Sequence, residues 1–289
     1  MNRLKNIVIT GAGGKPIALD VFFKGVTPQP VIIYAHGFNG FKDWGGFDSI
    51  ADQFAMAGFV FVKFNFSHNG TTPDHPDTFV DLEAFGNNNY TKELFDLQLV
   101  IDWVVYGGHP FMIDRKRIYL IGHSRGGSIA FITAKEDQRI AAVTSWASVK
   151  ACNTPWGNWP LEKLETWKKE GVAFYPNGRT GQQMPLYYQL MEDYQSNIHR
   201  FDVMNAVSQL EIPVFICHGT NDEAVPVNVA HELFQSCKNA RLFQIASDHV
   251  FGRKHPWTET LLPPAMQEVV AHTILFFNEP SRSSIPYGT

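Results

Sequence analysis

Arg117-Ile118-Tyr119-Leu120-Ile121-Gly122-His123-Ser124-Arg125-Gly126-Gly127-Ser128-Ile129-Ala130 runs from a short apolar stretch into a run of small residues that favours a helix. Between the two stands Gly-x-Ser-x-Gly. A serine hydroxyl is a weak nucleophile at neutral pH; it needs exposure, a nearby base and donors for a developing oxyanion. A sharp strand-to-helix turn supplies the exposure, and glycines flank the serine where side chains would clash as the backbone doubles back. The five-residue pattern alone arises by chance in roughly one chain in ten of this length, so its weight comes from what surrounds it.

Outward from this turn, short apolar runs alternate with helical stretches. Ile7–Thr10 and Ile17–Phe23 read as a hairpin, and Val31–Ala35, Phe59–Phe64, Ile118–Ile121, Ala141–Trp146, Val214–Cys217 and Leu242–Ile245 as further strands. Helices are expected over Asp48–Ala57, Thr91–Tyr106, Asn228–Ser236 and Pro264–Phe277; in the second, Leu94, Leu97, Val100, Ile101 and Val104 keep helical spacing. Near-continuous apolar strands alternating with helices predict an α/β fold, a parallel sheet covered on both faces. Residues from about 148 to 209 break the rhythm with tryptophans, prolines and polar clusters, and read as an inserted cap on a single domain of 1–289. A polar tail follows from about 279 to 289.

In such a sheet, ligands sit at the carboxyl ends of the strands. One strand runs into His36-Gly37-Phe38, where the backbone N–H of Phe38, with that of Arg125, is placed to form an oxyanion hole. Another runs into His218-Gly219-Thr220-Asn221-Asp222. Asp222 is the candidate acid, Glu223 its runner-up, and Asp248 weaker because it adjoins the candidate base. That base is His249, on the loop after the last strand; His255 is its understudy. His36 and His218 precede glycines and are expected to bond locally. His36, His123, Trp146, Trp156 and Trp159 are the candidates for a substrate pocket, with the insert's aromatics weighed evenly between lining it and packing the cap.

The chain order Ser124, Asp222, His249 and these four motifs, spread over nearly the whole chain, make the sequence resemble the α/β-hydrolases, closest to the dienelactone-hydrolase, acylaminoacyl-peptidase and cinnamoyl-esterase-like branch. The resemblance implies a mostly parallel eight-stranded sheet and a serine hydrolase of carboxylesterase type with an acyl-enzyme intermediate, needing no cofactor or metal. An amidase or peptidase on the same residues is the alternative, and a non-catalytic binding protein a more distant one. Asn65-Phe66-Ser67-His68-Asn69-Gly70 departs from the charged loop of relatives, and the insert matches no substrate-defining pattern.

The resemblance implies a small-molecule ester or short amide as partner. The 289 residues are 44% hydrophobic and 18% charged, with net charge −4 and a pI near 6.2. That excludes the basic footprint of a nucleic-acid binder. No apolar segment approaches the roughly 20 residues of a membrane span. Cys152, Cys217 and Cys237 are expected as free thiols, and a cytoplasmic location follows as an expectation. Two decoys are set aside. Gly11-Ala12-Gly13-Gly14-Lys15-Pro16 puts proline where a dinucleotide-binding turn needs its third glycine. His68, Asp74, His75, Asp77 and Asp81 lack compact metal-ligand spacing.

Overall fold

The computed structural model describes residues 1–279; the polar tail read from the sequence lies, beyond Glu279, outside the described residues. Among the described residues ten strands form: β1 (Asn2–Thr10), β2 (Pro16–Phe23), β3 (Gln29–Ala35), β4 (Val60–Phe64), β5 (Ile113–His123), β6 (Ile140–Trp146), β7 (Val172–Pro176), β8 (Gln183–Tyr187), β9 (Val214–Gly219) and β10 (Ala240–Ile245). Eight make one sheet in the order β1-β2-β4-β3-β5-β6-β9-β10. β1 and β2 form the expected hairpin, β2 meets β4 antiparallel, and every other pairing is parallel.

The helices are α1 (Phe47–Met56), α2 (Leu82–Gly86), α3 (Tyr90–Tyr106), α4 (Arg125–Glu136), α5 (Leu161–Glu170), α6 (Gln189–Ser196), α7 (Val203–Ser208), α8 (Asn228–Ser236) and α9 (Pro264–Asn278). Successive strand residues point to opposite faces, so one strand feeds two cores. Val31, Ile33, Ile118 and Leu120 pack with α3, α4 and α8. Ile32, Tyr34, Tyr119 and Ile121 pack with α1 and α9. That is why these strands read as unbroken apolar runs. No helix among the described residues is long and apolar enough to cross a membrane. The three cysteines are buried and unpaired.

Charge is buried at one point in the sheet. Asp20 and Lys63 face each other across β2 and β4, and both are fully buried. Lys42 Nζ reaches Asp20 at 2.7 Å and Lys5 reaches it at 3.0 Å, while Lys63 also contacts Asp43 and Asp48. Three carboxylates thus meet three ammoniums, the matching that burial of charge requires.

The insert between β6 and β9 contains a 3-10 turn over Trp156–Asn158, α5, the antiparallel pair β7–β8 and α6. Period-based reading passed over β7 and β8 because they form a small sheet of their own with exposed flanks. α7, within the span the sequence reading gave to the insert, packs on α4 and α8. Trp167 is the hub of the cap: its Nε1 donates to Leu186 O at 2.7 Å, and the rings of Trp156, Trp159 and Tyr188 lie 5.9, 5.4 and 5.3 Å away.

Candidate active site

β5 ends at His123 and α4 begins at Arg125, leaving Ser124 alone at the turn with φ 54° and ψ −121°. Non-glycine residues avoid this region, and its occupation stores strain that the surroundings must hold in place. Here Ser124 N–H donates to Trp146 O at 2.9 Å and its carbonyl accepts from Gly127 N–H at 2.9 Å. The glycines are needed for closeness. A Cβ on Gly122 would strike Gly126 O, and one on Gly126 would strike Ala35 O, both far inside van der Waals contact and both against backbone. Gly126→Ala is therefore expected to destabilise the fold by about 3 kcal/mol, the upper end of overpacking, read as a lowered thermal midpoint.

Two other strand ends converge on the turn. His249 Nδ1 lies 2.7 Å from Asp222 Oδ2. Asp222 Oδ1 accepts from the N–H groups of Ala224 and Val225 at 2.9 and 2.8 Å, and His218 Nε2 stands 3.3 Å from Oδ2. Burial alone would raise the Asp222 carboxyl pKa, but the bonds from His218, His249 and Val225 outweigh it and hold the group well below the usual carboxylate range. Glu223 is exposed. Asp248 turns its Oδ1 to the N–H groups of Val250 and Gly252. His255 accepts from Gly45 N–H at 3.3 Å and packs edge-on against Phe41; it is not on the wall of the site.

The β3 end brings the third part. His36 Nδ1 lies 2.9 Å from Gly37 O, and Gly40 N–H donates to the same oxygen at 3.2 Å. A trans peptide is planar, so fixing the Gly37 carbonyl aims the Phe38 N–H the opposite way. Among the described residues neither this N–H nor that of Arg125, the first of α4, donates to another protein group, as expected at a helix start. A Cβ on Gly37 would sit 3.0 Å from Ser124 Cβ; glycine lets this strand end approach the serine. Burial pushes His36 down to about 4, so its ring is neutral and Nε2 is left to accept from Phe66 N–H at 3.4 Å. His123, also lowered by burial, spans from the turn to the His249 carbonyl at 3.0 Å and ties the two loops together.

Ser124, His249, Phe38, His36 and His123 all line one cavity of about 790 Å³ between the sheet and the cap. Three of the expected pocket residues do not. Trp146 closes β6 on the opposite face of the sheet, fully buried, with its Nε1 donating to Thr273 Oγ1 at 3.2 Å. Trp156 and Trp159 turn into the cap around Trp167, and Gly157 and Asn158 between them line the cavity instead. The cap aromatic on the wall is Tyr175, edge-on to Phe38 at 5.3 Å. Sequence reading missed Tyr34, Trp44, Arg179 and Arg253, which reach the wall from places far apart in the chain.

Arg125 carries a second task in its side chain. Nε donates to Glu93 Oε2 at 2.8 Å and Nη1 to Thr154 O at 3.0 Å, and the guanidinium lies 3.8 Å from the Tyr90 ring centre. Both ends of the Arg125–Glu93 pair are buried, so removing one strands the other charge. Glu93→Ala is expected to lower unfolding free energy by about 3–5 kcal/mol in denaturant titration.

The sequence raised and discounted a metal in the 65–81 loop. There His68 Nδ1 pairs with Ser67 Oγ at 2.8 Å and Asp81 with Lys15 at 2.6 Å. Among the described residues the one grouping of metal-type side chains is Asp20, Asp43 and Asp48, already matched by lysines as described above.

A family model described as BD-FAE matches residues 19–237, well over half of the chain. The chain belongs to the BD-FAE family. This BD-FAE chain aligns with a putative hydrolase from Agrobacterium vitis S4 at a TM-score of 0.71 and 17% identity, over 96% of this chain and 98% of that one. Est1E from Butyrivibrio proteoclasticus, solved with ferulic acid bound, aligns at 0.67 and 19% identity, over 93% and 98%. At such identities the likeness speaks for the fold, which is that of the α/β-hydrolases, as the strand-end motifs implied. The quorum-quenching protein AidA of Acinetobacter baumannii (strain MDR-ZJ06) is 28% identical over 116 residues, 40% of this chain and 34% of that one. The match thus spans about a third of that curated relative.

Proposed function

We propose that this BD-FAE chain is a serine hydrolase that cleaves carboxylic esters through an acyl-enzyme. The observation that carries the reading is the 2.7 Å bond from His249 to Asp222 on the cavity wall that also holds the strained Ser124 turn. His249 Nδ1 carries the proton shared with Asp222, which leaves Nε2 as the base. Ser124 Oγ attacks the ester carbonyl carbon while Nε2 takes the hydroxyl proton. The carbonyl oxygen becomes an oxyanion, held by the N–H groups of Phe38 and Arg125, each donor contributing about 3 kcal/mol. As the C–O bond to the alcohol breaks, His249 returns the proton to the leaving oxygen. Water then repeats the sequence on the acyl-enzyme, releasing the acid and restoring Ser124.

The fluorophosphonate reaction separates this reading from a binding protein that merely keeps the fold, since it needs an activated serine. Stoichiometric labelling of the wild type at neutral pH, mapped to Ser124, is the expected result; an unlabelled protein rejects the reading. Hydrolysis of p-nitrophenyl acyl esters well above matched anilides is expected in the same preparation, and the reverse order would favour the amidase alternative.

A further inference from the structure

The stretch Asn65-Phe66-Ser67-His68-Asn69-Gly70 after β4, which departs from the charged loop of relatives, takes no part in the proposed acyl transfer. Yet Asn65 and Asn69 are buried, and so is Thr71 beside them. An amide shut away from water has to find partners for its oxygen and its hydrogens. These two find them on the segment that carries Phe38. Asn65 Oδ1 accepts from Lys42 N–H at 2.6 Å, and its Nδ2 donates to Thr71 Oγ1 at 2.9 Å and to Pro76 O at 2.8 Å. The Thr71 hydroxyl donates in turn to Asn69 Oδ1 at 2.7 Å, which also accepts from Thr71 N–H at 3.0 Å. Asn69 Nδ2 then reaches Gly40 O at 3.3 Å and His36 Nε2 at 3.4 Å.

The direction of this chain of bonds is fixed. Each amide oxygen faces a backbone N–H and each amide nitrogen a carbonyl oxygen, so turning either amide over would set like against like. The segment 36–42 is gripped at both ends. Lys42 is held by Asn65. His36 and Gly40 are held by Asn69, and these two residues fix Gly37 O, through His36 Nδ1 at 2.9 Å and Gly40 N–H at 3.2 Å. Between them lie Phe38 and Asn39. Asn39 has φ 57°, a left-handed conformation that asparagine reaches more readily than most residues but that its surroundings still have to impose. The turn that aims the Phe38 N–H is thus braced from the 65–71 loop.

We propose that Asn65, Thr71 and Asn69 are positioning residues for the oxyanion hole, holding the Phe38 N–H in line with the developing charge. Among the described residues the cavity wall includes none of the three, so they act through the turn and not on the substrate. The inference rests on the serine-esterase reading and adds what keeps one of its two donors in place.

Thr71→Val tests it, because valine keeps the shape and removes the hydroxyl that links the two amides. With p-nitrophenyl hexanoate, kcat is expected to fall about 10-fold, a part of the roughly 100-fold or more that follows loss of a whole donor. KM is expected to stay within about 2-fold of wild type. Acylation and deacylation both pass through an oxyanion, so kcat falls whichever step limits it. Pentyl trifluoromethyl ketone, whose adduct with Ser124 places an oxyanion in the same hole, is expected to bind about 10-fold more weakly. Thr71→Ser, which restores the hydroxyl, is expected to recover most of both losses. Asn69→Asp keeps the shape but sets an oxygen against Gly40 O in place of the Nδ2 donor; it is expected to lose at least as much, and carries the comparison should Thr71→Val fail to fold. Unmoved kcat and ketone affinity in a folded variant, a loss confined to KM, or a Thr71→Ser no better than Thr71→Val each overturns the inference and leaves the esterase reading standing. Absence of both turnover and fluorophosphonate labelling in the wild type rejects the esterase reading, and the inference with it.

Discussion

Ser124→Ala is expected to lower kcat for p-nitrophenyl esters by about 10⁴-fold to 10⁶-fold and to abolish fluorophosphonate labelling, with the protein still folded. The size follows from the proposed mechanism: without Oγ there is no acyl-enzyme, and what remains is direct water attack assisted by the Phe38 and Arg125 N–H groups. Folding is expected to persist because the contacts that hold the turn are made by backbone. Ser124 N–H bonds Trp146 O, and Ser124 O accepts from Gly127; alanine keeps both. The left-handed φ of 54° strains alanine as it strains serine. A glycine there relieves the strain, so Ser124→Gly is expected to be equally inactive and to melt higher than Ser124→Ala. A kcat within about 10-fold of wild type in either variant would mean that another group is the nucleophile.

How far the sequence carried the fold depends on the kind of information each element needs. β3, β5 and β9 were legible because burial on both faces demands unbroken apolar runs, and α3 because Leu94, Leu97, Val100, Ile101 and Val104 keep helical spacing. β7 and β8 were not, since a two-stranded sheet with a half-exposed face leaves no such run. The same division holds in the site. Ser124, Asp222 and His249 stand at strand ends, where chain position maps onto space; His249 bonds Asp222, and Ser124 and His249 line one cavity. The tryptophans failed for the opposite reason. Trp156 and Trp159 were placed in the pocket by composition, but composition does not say which way a ring turns, and both turn to Trp167. Arg253 stood in view four residues past His249; its place on the cavity wall emerges only when Trp44, Phe47 and Tyr34 are brought around it from two other segments.

Asp222→Asn puts the proposed base to the sharpest test. The carboxylate accepts from the N–H groups of Ala224 and Val225 and faces His249 Nδ1 at 2.7 Å, and in the proposed relay it fixes the His249 tautomer with the proton on Nδ1. An asparagine amide that keeps its oxygen on the Ala224 and Val225 N–H groups turns its NH₂ towards His249. Nδ1 then becomes the acceptor and the proton moves to Nε2, where it blocks attack by Ser124. A loss of about 10⁴-fold in kcat is expected, with KM little changed. Glu223→Gln is the control: the side chain next door is exposed, and activity is expected to stay at the wild-type level. Stability should respond with a definite sign. The Asp222 pKa is depressed by folding, so its contribution is complete above the unfolded value of about 4 and is lost as pH falls through the lower folded value. The wild type is therefore expected to exceed Asp222→Asn in unfolding free energy by a constant margin from about pH 5 to 8, and the margin should narrow below about pH 4. A margin that grows on acidification would contradict the depressed carboxyl. An unchanged kcat would show that His249 does not depend on Asp222 for its tautomer, and with it the proposed proton relay would fail.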